Sequence, residues 1–226
     1  MARMRELALP SRDVPSRPNG FVTISRQAGA LGHSLAHRLV ERFGEEDDEV
    51  FSCWQVFDQR LCEIVAEDPK MAKALDSLLA EEYHTPASDF FRQAIAPTVD
   101  QDVLIARVFE VVRTIAATGR AIIVGRAGSE VTRDLPHGVR IRLVAAHDVR
   151  VDRLMELNGV DRREAAREAK RIDQHRARLL QARFGIDIDD PLSYDVVWNT
   201  GSATVDEIAD ATVMLVRARL GTLRPE

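Results

Sequence analysis

Val22-Thr23-Ile24-Ser25-Arg26-Gln27-Ala28-Gly29-Ala30-Leu31-Gly32-His33-Ser34-Leu35-Ala36 is the segment from which the architecture can be read. Phe21 to Ile24 is an aromatic and β-branched run, the composition of a strand. Gly29 and Gly32 mark a turn. Apolar residues then recur at Leu35, Leu39, Val40 and Phe43 on one helical face, and Gly44 ends the pattern. Strand, glycine turn and helix together open a βαβ unit. A loop in that position exposes backbone N–H groups, the helix start adds partial positive charge, and glycine lets the backbone approach a phosphate closely. Gly29 and Gly32 are placed for such an approach, and Ser34 for a magnesium ion or a phosphate oxygen. The full Gly-x-x-x-x-Gly-Lys-Ser/Thr pattern is absent, and the segment alone also fits a plain strand-to-helix turn.

Downstream, strands and helices alternate. Val50 to Phe57 holds a second strand, Ala121 to Gly125 a continuous apolar one, Val139 to Ala145 another, and Tyr194 to Trp198 the last. Helices are expected over Asp58 to Glu67, Met71 to Tyr83, Asp89 to Ala96, Val99 to Ala117, His147 to Leu157, Asp161 to Phe184 and Thr204 to Leu220. Strands separated by helices imply an α/β fold with a mostly parallel central sheet, whose ligands sit at the carboxyl ends of strands. Residues 1–19, with Pro10, Pro15 and Pro18, read as a flexible tail, and 20–222 as a single domain. The acidic run Glu45 to Glu49 reads as a solvated loop.

The 226 residues carry a formal net charge of -5 and a pI near 5.7, which argues against a nucleic-acid or anionic-membrane binder. A small phosphorylated ligand needs only a local basic cluster. No apolar stretch approaches the length of a membrane span, and the beginning of the chain lacks the apolar region of a secretory signal. Two cysteines, Cys53 and Cys62, read as buried or half-buried thiols of a reducing cytoplasm rather than a disulfide.

The opening segment resembles the cytidylate-kinase-like family, a divergent branch of the nucleoside-monophosphate kinases. Thr23 to Gln27, Gly29, Gly32 and Ala36 fall on the family's opening pattern without a gap. Further matches are Val56-Phe57-Asp58-Gln59-Arg60, Ile123-Val124-Gly125-Arg126-Ala127-Gly128, Asp173-x-x-Arg176 and Tyr194-Asp195-x-x-x-Asn199-Thr200-Gly201, so the likeness spans about residues 20–218. It implies a three-layer P-loop NTPase fold with a helical lid insertion near 158–190. It also implies phosphoryl transfer from ATP with Mg2+ to a nucleoside monophosphate, cytidylate-like, or a related small acceptor. The departures are Gly32 where true cytidylate kinases carry the loop lysine, and Leu31 in place of a family glycine. That lysine would neutralise charge on the transferring phosphoryl group. Without it, Arg26 or His33 supplies the charge, or a lid arginine does, or the chain is a weak or inactive nucleotide-binding sensor.

The candidate residues follow. Ser25, Arg26, Gly29, Gly32, His33 and Ser34 would hold the nucleotide phosphates, with Ser34 also on the metal. Asp58, Arg60, Gly125 and Arg126 would face the acceptor; Asp58 equally suits the cap of a following helix. Arg126 follows a buried strand and offers a planar fork for phosphate. On helix 161–184 the resemblance makes Arg171 and Arg176 the phosphate contacts of a closing lid, with Asp173 orienting Arg176. Glu164/Arg167, Glu168/Arg171 and Asp173/Arg176 also read as i, i+3 pairs. Asn199-Thr200-Gly201 is placed by the resemblance near the donor adenine, and reads equally as a polar turn. The expected partners are nucleotides, with neither nucleic acid nor membrane. The amphipathic helices at 71–96 and 99–118 are surfaces through which subunits could pair.

Overall fold

Phe21–Arg26 forms β1, the central strand of a five-stranded sheet in which every described pairing is parallel. The computed structural model describes residues 19–58 and 101–221. The expected tail up to residue 18, the helices between 59 and 96, Arg60 and Cys62 lie outside them. β2 is Gln55–Phe57, β3 Ala121–Val124, β4 Gly138–Val144 and β5 Val196–Asn199, in the order β2-β3-β1-β4-β5. From β1 the chain runs to β2 and β3 on one side, then crosses to β4 and β5 on the other. The carboxyl end of β1 is therefore the topological switch point, where open α/β sheets hold ligands.

Helices cover both faces and make three layers. On one face lie α1 (Gly32–Gly44) and α6 (Val205–Arg219), packed on Val22, Ile24, Ile122, Val124, Ile141 and Leu143 through Leu35, Leu39, Ile208 and Val213. On the other lies α2 (Gln101–Thr118), whose Val108, Val112 and Ala116 pack on Phe21, Ala121 and Ile123, with the four-residue α3 (Gly128–Val131) beside it. Ile122 and Ile123 are fully sealed from solvent, and each such side chain contributes roughly 1.5–3 kcal/mol relative to exposure. Between β4 and β5 stands a helical hairpin, α4 (His147–Asn158) and α5 (Arg162–Phe184), closed at its turn by Gly159.

Four expectations need correction. The second strand is only three residues long, because Val50 and Phe51 turn inward on a 3-10 turn and stack, with Trp54, against Phe43. Cys53 is exposed, since it occupies the left-handed turn (φ 61°) between the inward-facing Phe51 and Trp54. β4 is not a continuous apolar run: Arg140 and Arg142 alternate with Val139, Ile141 and Leu143; Arg140 donates to the carbonyls of Thr132, Arg133 and Leu135, and Arg142 pairs with Asp189. The acidic stretch is also less idle than expected, as Glu45 pairs with Arg42 and Glu46 with Arg217.

Candidate functional site

The loop between β1 and α1 runs from Gln27 to Leu31. Gly29 has φ 75°, and a Cβ there would lie 2.5 Å from the Arg150 carbonyl oxygen, so only glycine fits against α4. Leu31 takes the left-handed conformation at the start of α1 and provides no side-chain cap. By contrast α5 is capped by Asp161 and α6 by the reciprocal Thr204–Glu207 box. Within the loop, Gln27 N–H donates to Leu143 O, Ala30 N–H to Gln27 O and Leu35 N–H to Leu31 O. Among the described residues, the N–H groups of Gly29, Leu31, Gly32 and Ser34 have no backbone acceptor. An uncapped helix start with several unassigned donors and the positive end of the helix dipole is suited to an anion.

Arg26 leaves the end of β1 and is only 6% exposed. Its stem lies beneath Gly32, and its guanidinium lies so close to Gly125 that a Cβ there would overlap it. Arg26 thus bridges the start of α1 and the turn after β3. That turn holds Gly125, Arg126 and Ala127 consecutively at φ 77°, 55° and 52°. A left-handed conformation costs a non-glycine residue about 1–2 kcal/mol, and such strain is characteristic of functional turns. Arg126 is half-buried there.

His33 and Asp58 meet. Asp58 follows β2, and its carboxylate lies 3.0 Å from His33 Nδ1. The first turn of α1 and the end of β2 are joined by a contact that is an ion pair whenever the imidazole is protonated. Ser25 is engaged on the opposite face of the sheet. Its hydroxyl accepts from Arg142 at 3.0 Å and shares a 3.3 Å contact with the Tyr194 phenol, which donates to Ile188 O. Burial pushes the Tyr194 phenol above its usual range, against the opposing hydrogen bond from Ser25.

The hairpin grips the loop. Ala28 packs among Val151, Leu154, Ala165 and Ala169. Asp173 on α5 accepts the Ala28 N–H at 2.7 Å and the Arg150 guanidinium at 2.8 Å. Arg150 also donates to Ala28 O and Ala145 O, and Arg153 to Gly29 O, Thr200 Oγ1 and Thr200 O. Arg176 donates to the Arg26 carbonyl at 3.1 Å, and Arg171 is clamped by both oxygens of Glu168.

Three helix-surface expectations are resolved by these contacts. Asp173 binds the loop and Arg150 instead of orienting Arg176, because its side chain faces α4 and the loop. Of the three i, i+3 pairs, Glu168–Arg171 forms, and Glu164–Arg167 and Asp173–Arg176 are not among the ion pairs of the described residues. Asn199 turns back on Gly201 N–H, a local polar turn, and Thr200 is buried under Arg153. Sequence reasoning missed Arg150 and Arg153. The available signal was their i, i+3 spacing on the helix after β4, the strand beside β1.

For a metal, no group of three or more His, Cys, Asp or Glu stands together among the described residues. No described helix is long and apolar enough to cross a membrane. The donors present, main-chain amides, a serine hydroxyl and arginines, fit a phosphate chain that brings its own cation.

The family model described as the cytidylate kinase-like family matches residues 21–202. No curated protein matches the chain. Among solved structures, an uncharacterized protein from Eubacterium ventriosum shares the fold with a TM-score of 0.64 at 20% identity, over 88% of this chain and 99% of that one. A shikimate kinase from Bacteroides thetaiotaomicron gives a TM-score of 0.48 at 12% identity, over 89% and 98%. The YorR protein of Bacillus subtilis, in complex with phosphorylated GDP, gives 0.48 at 12%, over 90% and 99%.

Proposed function

The chain belongs to the cytidylate kinase-like family, and from that premise we propose that it transfers a phosphoryl group from ATP-Mg to a nucleoside monophosphate, cytidylate-like, or a related small acceptor. The observation that carries this reading is the loop at the switch point. It combines an uncapped α1, unassigned amides at Gly29, Leu31, Gly32 and Ser34, and a glycine pressed against Arg150.

In this reading the amides of Gly29, Leu31, Gly32 and Ser34 orient the donor phosphates, and the Ser34 hydroxyl would hold magnesium, which would supply charge neutralisation. Arg26 holds the two crevice turns in register from below. Arg126, Asp58 and Arg60 receive the acceptor. Residues 158–190 carry the lid, and its nucleotide contacts are Arg176, near the transferring charge, and Arg171, released from Glu168 as the lid closes and excludes water. Catalysis is by positioning and electrostatics, with no covalent intermediate. Nucleotide chemistry of this kind is assigned to the cytoplasm.

A second reading, a nucleotide-binding sensor without turnover, is favoured by the missing loop lysine and by the Asp58 carboxylate engaging the His33 imidazole. One assay separates the two. The pure protein is incubated with ATP-Mg and a panel of monophosphates, and binding and diphosphate formation are both measured. Diphosphate formation supports transfer, and binding alone supports the sensor. Absence of any nucleotide binding removes both.

A further inference from the structure

We propose that the groove between α4 and the amino-terminal half of α5 is a second anion site, separate from the phosphate loop, for a small di- or triphosphate-bearing molecule. The groove has a volume of about 530 Å3 and is lined by His147, Arg150, Arg163, Arg167, Lys170 and Asp173, with Ala166 and Gln174. That volume lies within the range of small-molecule sites, roughly 300–1,000 Å3.

Its charge is unbalanced. Asp173 is the lining carboxylate, and it is already spent on Arg150 and Ala28. The Glu164 backbone N–H donates to the capping Asp161 and its carboxylate pairs with no groove cation among the described residues, and Glu168 is committed to Arg171 on another side of the helix. Among the described residues, Arg163, Arg167 and Lys170 make no hydrogen bond or ion pair. This contrasts with the ion-paired Arg38, Arg42, Arg113 and Arg162 elsewhere on the surface. Three cations left together in a concavity raise the local concentration of anions.

The spacing selects a chain of phosphates over a single one. Arg163, Arg167 and Lys170 follow one helical stripe and span about 10 Å at 1.5 Å per residue. One phosphate cannot reach all three, whereas successive phosphoryl groups can, and arginine offers each a forked pair of donors. A nucleic acid is disfavoured by the net charge of -5. The stripe is distinct from that of Arg176, which faces the β1 end.

Calorimetric titration with inorganic tripolyphosphate tests this on the full chain, alongside titration with ATP-Mg. The comparison is between wild type, a triple variant (Arg163→Gln, Arg167→Gln, Lys170→Gln) and Arg178→Gln, which removes a cation of the same helix outside the groove. The triple variant changes only exposed side chains, and an unshifted melting temperature verifies its fold. The expected result is tripolyphosphate binding that falls at least tenfold, or by one equivalent, in the triple variant, with ATP-Mg affinity unchanged and Arg178→Gln like wild type. Equal tripolyphosphate binding in the triple variant and wild type overturns the proposal. So does an equal loss in Arg178→Gln, which signals diffuse electrostatics. A loss of ATP-Mg affinity in the triple variant also overturns it, since the cations then belong to the donor site. Tripolyphosphate binding that the triple variant loses, in a protein with no ATP affinity, upholds the groove and removes the kinase reading.

Discussion

Asp173 Oδ1 stands 2.7 Å from the backbone nitrogen of Ala28, so the long helix between β4 and β5 is fastened to the loop after β1 by a charge-assisted hydrogen bond. The other carboxylate oxygen takes the Arg150 guanidinium, which itself holds the Ala28 carbonyl. Both backbone polar groups of Ala28 are thereby held by the hairpin, and the loop cannot shift without breaking the pair.

Replacing Asp173 with Asn keeps the shape but leaves Arg150, 8% exposed, without its counter-charge. Removing one partner of a hydrogen-bonded charge costs about 1–3 kcal/mol. Thermal denaturation of Asp173→Asn should show a lowered melting temperature, and ATP-Mg binding should weaken as the loop loosens. A variant as stable as wild type would mean that the bond contributes nothing.

Gly125→Ala should destabilise by about 1–3 kcal/mol, since φ is +77° and the added methyl overlaps the Arg26 guanidinium. Gly44→Ala is its counterpart: a Cβ there meets nothing within 4 Å, and helix propensity predicts a gain of about 0.5 kcal/mol. Urea unfolding of the two variants should move in opposite directions.

Tyr194 should ionise above the ordinary tyrosine range, because burial disfavours the phenolate. A raised folded-state pKa contributes stability that is complete below the unfolded value, about 10, and is lost as pH rises through the folded value. Ultraviolet titration in a Tyr83→Phe background, which leaves Tyr194 as the chain's one tyrosine, should show a transition displaced upward, followed by alkaline unfolding. Tyr194→Phe should remove that alkaline sensitivity but lower stability at pH 7, by losing the bond to Ile188 O.

His33→Lys tests whether the imidazole stands in for the missing loop lysine. A lysine there can keep the contact with Asp58 and carries its charge at any working pH. Diphosphate formation should rise in this variant at pH 7.5 and above. Rates equal to wild type across that range would exclude His33 from the role.

The α/β class, the glycine turn after β1 and the long helix before β5 were legible because each rests on local signals. Phe21 to Ile24 is β-branched, apolar residues follow Gly32 at helical spacing, and Asp161 and Thr204 cap the helices they precede. What each polar group does was not. Asp173 and Arg176 are three residues apart on one helix and look like partners, yet helical rotation and the docking of α5 send one carboxylate to Ala28 and one guanidinium to the Arg26 carbonyl. Ser25 looked like a loop ligand, but strand alternation turns its hydroxyl to Arg142 and Tyr194.

The chain's own order of residues thus determined where strands, turns and helices begin, since propensity, periodicity and capping act within a few residues of one another. Only the assembled sheet decided that β3 and β4 flank β1. That placement brings Arg26 to Gly125, His33 to Asp58 and Arg150 to Ala28, partners 25 to 122 residues apart in the chain. Contacts across such separations depend on which faces can be buried together, a property of the packed whole that no window of sequence carries.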